Sequence, residues 1–472
     1  MEETNEAQEV LKEASENNFK KAFRKNKMDS AFKIANHFID QYHIITIGGK
    51  RECELFIYED GVYVPGENKI KRKIQEMLEE LLNTYYRNEI INKIKNLTVA
   101  ERDSYWVDEK FINLKNGLFN IETEEFKPHD PQYVFFTKLP INYNPEAECP
   151  AIKKFLSEIL DEKDIPIIQE WFGYALYRRY FIKKAIIFVG EGNTGKTTLI
   201  SLHYAFVGKN NVSGVSLQKI SSDKFSAAHL YNKHINLCDE LSLKDVNNNE
   251  IFKIATGGGI ITGEKKFGNQ FQFENFSKLT FACNRIPDVK DSNDDAYFSR
   301  WIVIQFNKTI REDQQDKHLI KKIITQEELS GLLNFSLKGL KRLLKNGKFS
   351  YDKEPYEVKT EMLRSGSAIA QFASNCLEEK AGEWVSKQEM YEKFIKYANS
   401  LKLPPATIMD FGKKIRNYAY YIADGKKLGC GPQTNEKTQI TGWKNVIVKT
   451  ADDFSEEEKL NSEKNSNKTS ER

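Results

Sequence analysis

The sequence predicts an α/β fold with a central, mostly parallel sheet, a mixed α/β region ahead of it and a small helix-and-hairpin domain behind it. Three observations carry this. Residues 185–189 form a continuous apolar run that passes into a glycine-rich loop and then a helical segment. Further short apolar runs follow at 235–238, 279–283 and 301–304, the length of strands buried on both faces. Beyond residue 383 the pattern reads helix, turn, helix and two strand-like stretches.

The chain has 472 residues, and at roughly 150 residues per domain this length holds about three domains. Hydrophobic residues make up 40% and charged residues 29%, a soluble globular composition. No run approaches the ~18 apolar residues of a membrane span, so no membrane partner is expected. The start, MEETNEAQEVLKEASENN, lacks the apolar stretch of a secretory signal. Six cysteines are scattered singly, which excludes a zinc ribbon or a local redox pair and fits a reducing, cytoplasmic setting. The formal net charge is only +3, so contacts with nucleic acid must come from local patches.

Taken in order, residues 1–27 are polar and read as a frayed or helical extension. Residues 28–150 form a mixed α/β region. Within it Ala31 to Ile45 is a helix running into a strand, and 55–58 with 62–64 form a hairpin about an Asp60-Gly61 turn. Ile70 to Tyr86 has helical spacing, and Asn116-Gly117 marks a second turn. Residues 151–182 read as a helical linker or collar, and 183–310 as the core.

In that core, Gly190-Glu191-Gly192-Asn193-Thr194-Gly195-Lys196-Thr197 follows the first apolar run, and Thr198 continues into the helix. This is GxxxxGK[ST] in its strand–loop–helix setting. Backbone N–H groups close around phosphate oxygens, and the helix N-terminus adds its positive end. Lys196 can reach the β- and γ-phosphates of a nucleotide, and the Thr197 hydroxyl can ligate Mg²⁺. Asp239-Glu240, at the end of the 235–238 run, supplies a carboxylate for Mg²⁺ (Asp239) and one to polarise the attacking water (Glu240). Asn284 ends the next run, where a polar side chain can orient that water. Arg300 precedes the last run. In a ring it could reach the neighbour's γ-phosphate as an arginine finger.

This ordered set resembles the superfamily 3 helicases, ring-forming AAA+ motors of viruses, phages and plasmids. In that family a β-hairpin with a basic tip stands between the acidic pair and the Asn. Residues 262–271 stand there, with Lys265, Lys266 and Phe267 at the tip to meet phosphates, sugars and bases. Asn113-Leu114-Lys115-Asn116-Gly117-Leu118-Phe119, Leu139-Pro140-Ile141-Asn142-Tyr143, Trp171-Phe172-Gly173-Tyr174-Ala175-Leu176 and Cys283-Asn284-Arg285-Ile286-Pro287 resemble segments of phage/plasmid primase-helicases related to the poxvirus helicase-primase. The likeness runs over about 28–450. It implies a P-loop AAA+ core, a hexamer, ATP and Mg²⁺, single-stranded and forked or origin duplex DNA as partners, and 3′-to-5′ travel. It places the protein in the host cytosol. Too few residues precede Ala31 for the primase domain of many relatives, so a separate primase or polymerase is the expected partner. Gly259 stands where relatives carry an Asp, so that segment is expected to supply backbone alone.

After the core, 311–380 read as a helical lid, with Leu332, Leu333, Leu337, Leu340, Leu343 and Leu344 on one packing stripe. Residues 383–450 read as a winged helix. Ser386-Lys387-Gln388-Glu389 is a capping box, and Tyr391, Phe394, Ile395 and Ala398 give the first helix an apolar face. A second helix, Thr407 to Tyr420, carries Lys413, Lys414 and Arg416 for a major groove. Residues 451–472 are too polar to offset ordering entropy and read as a disordered tail. The expected function is an ATP-dependent replicative DNA helicase. The alternative is an origin-binding initiator that uses ATP as an assembly switch.

Overall fold

A computed structural model describes residues 17–48, 53–100, 109–222, 224–241, 249–264, 270–286, 294–311, 313, 315–351, 353–366, 368–400, 406–431 and 434–449. The N-terminal part opens with a helix over 17–25, within the stretch read as a frayed or helical extension. Phe23 is fully buried there, so this helix belongs to the core. The helix Lys27–Tyr42 follows, its first turn capped by the Asn26 side chain accepting from the Asp29 N–H. It leads into β1 (Ile45–Gly48), as expected. β2 (Cys53–Glu59) and β3 (Val62–Pro65) form the hairpin, with Asp60 and Gly61 at φ 48° and 81° in the left-handed turn.

The helical run expected over 70–86 is two helices, Glu67–Leu78 and Thr84–Thr98. The first ends where Glu79 takes a φ of 49°, and Asn83 caps the second by accepting from the Tyr86 N–H. β4 (Val99–Ala100) completes a sheet in the order β3-β2-β1-β4. A small antiparallel sheet, β5 (Phe111–Leu114), β6 (Gly117–Asn120) and β7 (Phe126–Lys127), turns at 115–116. Asn113 ties it to the first hairpin, donating to Gly61 O at 2.8 Å and Thr137 O at 3.1 Å.

The expected collar is likewise two helices, Pro150–Ile159 and Ile165–Leu176. The second packs along the long helix Gln326–Asn346. The approach is so close that a Cβ at Gly173 would stand 2.4 Å from Ser336 O, and one at Gly339 2.5 Å from Gln169 O. Glu170, fully buried between them, accepts from Arg342 Nε at 2.6 Å, Ser350 N at 2.7 Å and Ser350 Oγ at 2.6 Å. The expected leucine stripe is only partly a packing face. Leu332, Leu333, Leu340 and Leu343 are buried, Leu337 is half-buried and Leu344 is exposed. Six leucines span more than the contact arc of a helix against one neighbour.

The central sheet is five-stranded and wholly parallel, in the order β14-β8-β13-β10-β9. Its strands are β8 (Ala185–Val189), β9 (Val212–Ser213), β10 (Ile235–Cys238), β13 (Lys278–Cys283) and β14 (Trp301–Gln305). All five residues of β8 and all six of β13 are buried, which explains the unbroken apolar run of β8; β13 carries two buried polar residues, Lys278 and Thr280. β11 (Ile260–Glu264) and β12 (Gln270–Glu274) pair antiparallel as a separate hairpin between β10 and β13, with Glu264 opposite Gln270. Its foot is packed: Ile261 and Phe273 are buried, and Tyr231 meets Phe271 and Phe273 edge-on.

Behind the long helix, a C-terminal unit has its own core of Phe372, Met390, Phe394, Phe411 and Trp443. Its sheet has three strands in the order β15-β17-β16: β15 (Leu377–Ser386), β16 (Ala423–Gly431) and β17 (Thr434–Val448). The strand β15 and the helix Ala368–Cys376 join this core ahead of residue 383. The serine half of the expected capping box is present, with Ser386 Oγ accepting from Glu389 N at 3.1 Å, while the Glu389 carboxylate pairs with Lys393. In that helix, Lys387–Ser400, the buried face is Met390, Phe394 and Ala398, while Tyr391 and Ile395 sit at its margin. The second helix is Ile408–Tyr418, capped by Thr407. Pro404, Pro405 and the tail 451–472 lie outside the described residues. No described helix is long and apolar enough to cross a membrane.

Candidate functional site

In an open parallel sheet, ligands bind outside the carboxyl ends of the strands. Here β8, β10 and β13 end at one cleft of about 1570 Å³. It is bordered by Glu191 to Thr198 from the loop after β8, by Asp239 and Glu240 after β10, and by Asn284 after β13. Residues up to 93 positions apart in sequence meet because β13 lies between β8 and β10.

The loop has the geometry its sequence requires. Asn193 and Gly195 have φ of 61° and 89°, and the helix Lys196–Val207 starts directly after. Gly195 lies so close to the preceding collar helix that a Cβ would stand 2.6 Å from Ile159 Cγ2. Gly190 does not border the cleft. Its N–H donates to Cys283 O at 3.3 Å, and a Cβ there would stand 2.6 Å from Phe306 O, so it lets the chain leave the sheet between neighbours. Lys196 Nζ folds back on its own loop and donates to Gly190 O and Glu191 O, both at 2.7 Å, and to Thr194 Oγ1 at 3.1 Å. Burial lowers its pKa. A cation held on neutral carbonyls exchanges them readily for phosphate oxygens, a charge-assisted gain. Thr197, Asp239, Glu240 and Asn284 are solvent-exposed in the cleft.

Arg300 does not join this group. It precedes β14, at the opposite end of the parallel sheet, where its carbonyl accepts from Ala185 N at 2.7 Å. It is half-buried, its Nη1 donates to Ala296 O, and its Nε is buried without a hydrogen-bond partner among the described residues. Lys265, Lys266 and Phe267 lie outside the described residues; the strands that carry them are in place. On the second C-terminal helix Lys413 and Arg416 are both exposed. Arg416 pairs with Asp424, which Lys387 also holds at 2.9 Å, and Lys414 is half-buried. Asp424 is brought beside Arg416 by the turn into β16, which helix periodicity does not reveal.

The cleft also gathers residues that motif reading missed. Lys154 and Phe155 come from the first collar helix, Arg285 follows Asn284, and Lys308 follows β14. Lys308 Nζ donates to Ser157 O and Leu160 O, pinning the collar to the sheet. The N-terminus of that collar helix is capped from afar: the Glu328 carboxylate accepts from Ala151 N and Ile152 N, both at 3.1 Å. Arg285 was the only one within reach of a sequence signal, by adjacency to Asn284.

Comparison with known proteins gives two family matches. Residues 4–161 match the family described as D5 N terminal like. Residues 188–300 match a family of unknown function, DUF5906, which spans β8 to the start of β14. No curated protein matches the chain. Among solved structures it is similar to the A form apo structure of the NrS-1 C terminal region, at 14% identity, with 88% of this chain and 98% of that chain covered and a TM-score of 0.48. A second apo structure of the NrS-1 C terminal region aligns at 13% identity over 88% of this chain and 99% of that one, with a TM-score of 0.47.

Proposed function

We propose that the chain is an ATP-dependent DNA helicase for replication of a viral, phage, plasmid or integrated mobile genome, a superfamily 3 AAA+ motor acting as a homo-oligomeric ring. One observation carries the reading: Lys196, Thr197, Asp239, Glu240 and Asn284 converge on a single cleft from the carboxyl ends of three parallel strands. The D5 N terminal like match over 4–161 supports the family assignment.

Mg²⁺ suits the donors available, since the Thr197 hydroxyl and the Asp239 carboxylate are hard oxygen ligands bordering the same cleft. When bound with ATP it would neutralise charge between the phosphates. In this reading Lys196 leaves its loop carbonyls for the β- and γ-phosphates. Glu240 takes the proton side of the attacking water and Asn284 fixes its direction. Arg300, turned away from its own cleft, serves the cleft of the next protomer. The hairpin β11–β12 carries Lys265, Lys266 and Phe267 into the ring channel, and the C-terminal unit, read as a winged helix, offers Lys413, Lys414 and Arg416 to duplex DNA.

The test is strand separation on a forked duplex with ATP and Mg²⁺. The reading expects unwinding that Lys196→Ala abolishes. ATP binding and assembly without any strand separation would refute it and leave the initiator reading.

A further inference from the structure

At the other end of β13 from Asn284 lies Lys278, which is fully buried. Its Nζ donates to three backbone carbonyls: Phe276 O at 2.6 Å, Tyr177 O at 2.7 Å and Arg179 O at 3.1 Å. The faces of Tyr174 and Tyr180 lie 4.3 and 5.1 Å from it. Burial, and secondarily the neighbouring Arg178, pull its pKa well below the usual range. Such a cation is costly to keep dry, and an apolar residue of equal volume would fill the place more cheaply.

The identity of the carbonyls gives the lysine a purpose. Tyr177 is the C-cap of the collar helix Ile165–Leu176, so Lys278 satisfies carbonyls at the negative end of that helix. Phe276 belongs to the short link between β12 and β13, the foot of the hairpin. That foot is otherwise knotted by Asn275, which donates to Ala255 O at 2.8 Å and Ser277 O at 3.2 Å. One ammonium group therefore joins the hairpin foot, the collar helix and the strand whose far end is Asn284. A second tie between collar and strand, Trp171 Nε1 donating to Thr280 Oγ1 at 2.9 Å, does not touch the hairpin.

We propose that Lys278 is the positioning residue through which β13 couples the nucleotide cleft at Asn284 to the hairpin β11–β12, so that a shift of the strand is delivered to the hairpin foot and the reverse. This rests on the reading of the cleft as an ATP site and of the hairpin as a DNA contact.

The experiment measures ATP hydrolysis by the full chain, with and without a single-stranded oligonucleotide, in wild type, Lys278→Met and Thr280→Val. Lys278→Met keeps the volume and removes the three donors. Basal hydrolysis should stay within about twofold, while the oligonucleotide's stimulation falls by about 2- to 30-fold, the range for mutations along a coupling network. Thr280→Val breaks the tie that spares the hairpin and should keep its stimulation. Equal stimulation in Lys278→Met and wild type, or equal loss in both variants, overturns the proposal. Hydrogen exchange on wild type covers the case in which Lys278→Met does not fold. A non-hydrolysable ATP analogue with Mg²⁺ should change protection at 275–279 and 177–180 together. A change confined to the cleft end of β13 overturns the coupling. A wild type that hydrolyses no ATP refutes the cleft reading itself, and the inference with it.

Discussion

Gly195→Ala is the sharpest probe of the phosphate loop, because two separate costs can be read at that residue. Its φ of 89° lies in the left-handed region, where a side chain costs roughly 1–2 kcal/mol. The new Cβ would also stand 2.6 Å from Ile159 Cγ2 and 3.3 Å from Ile159 Cβ, and overpacking of this kind costs about 1–3 kcal/mol. Together the substitution should destabilise by about 2–5 kcal/mol, a fall in Tm of roughly 4–20 °C at 2–4 °C per kcal/mol. Gly192→Ala in the same loop is the control. Nothing lies within 4 Å of its Cβ, and the change should stay within about 0.5 kcal/mol. Thermal unfolding and titration with a fluorescent ATP analogue read both variants. Ile159→Ala closes a double-mutant cycle: it should cost about 1–3 kcal/mol less in the Gly195→Ala background than in wild type, because it removes the clash but not the backbone strain. If Gly195→Ala melts and binds like Gly192→Ala, or the cycle shows no coupling, the loop is not held as described.

Glu240→Gln should bind ATP but lose about 10²–10³ in turnover, whereas Lys196→Ala should fail to bind; single-turnover kinetics separates the two. Arg300→Ala should bind ATP and lose about 10³–10⁵ in rate, and mixing it with Lys196→Ala protein should restore activity, which gel-verified mixed assemblies without rescue would contradict. Glu328→Ala strips the cap from the first collar helix and should cost about 1–2 kcal/mol in denaturant unfolding. His203 is buried with its pKa depressed by burial to about 3, so it stays neutral in the fold while the unfolded chain takes up a proton below about 6.5. Its contribution is complete above that pH and is lost as pH falls toward 3. His203→Leu should therefore flatten the stability profile there by about 1.4 kcal/mol per pH unit.

The strands of the central sheet were legible because burial on both faces leaves short, mostly apolar runs, and the phosphate loop because its glycines are dictated locally. The order of the strands was not, since nothing in 235–238 says that β13 will insert between it and β8. The break between Glu79 and Asn83 was hidden because the apolar spacing continues across it while the positive φ of Glu79 and the Asn83 cap each act on a single residue. Lys278, Lys308 and Glu328 were invisible for a common reason. Each acts on backbone groups of a remote segment, and Glu328 reaches Ala151 over 177 positions. Backbone carbonyls and N–H groups leave no trace in side-chain pattern.

The strand order also governs how the protein is made. β8 occupies an interior place, yet both its neighbours are later in the chain, β13 beginning at Lys278 and β14 at Trp301. A ribosome adding about 5–20 residues per second delivers β14 some 6–23 s after Ala185. Until β13 follows, an entirely apolar strand has both edges unpaired, and one edge stays open until β14 arrives, the condition in which nascent chains add to one another. The strand order that gathers the cleft thus leaves an edge of the apolar β8 open to association until residue 305 has emerged.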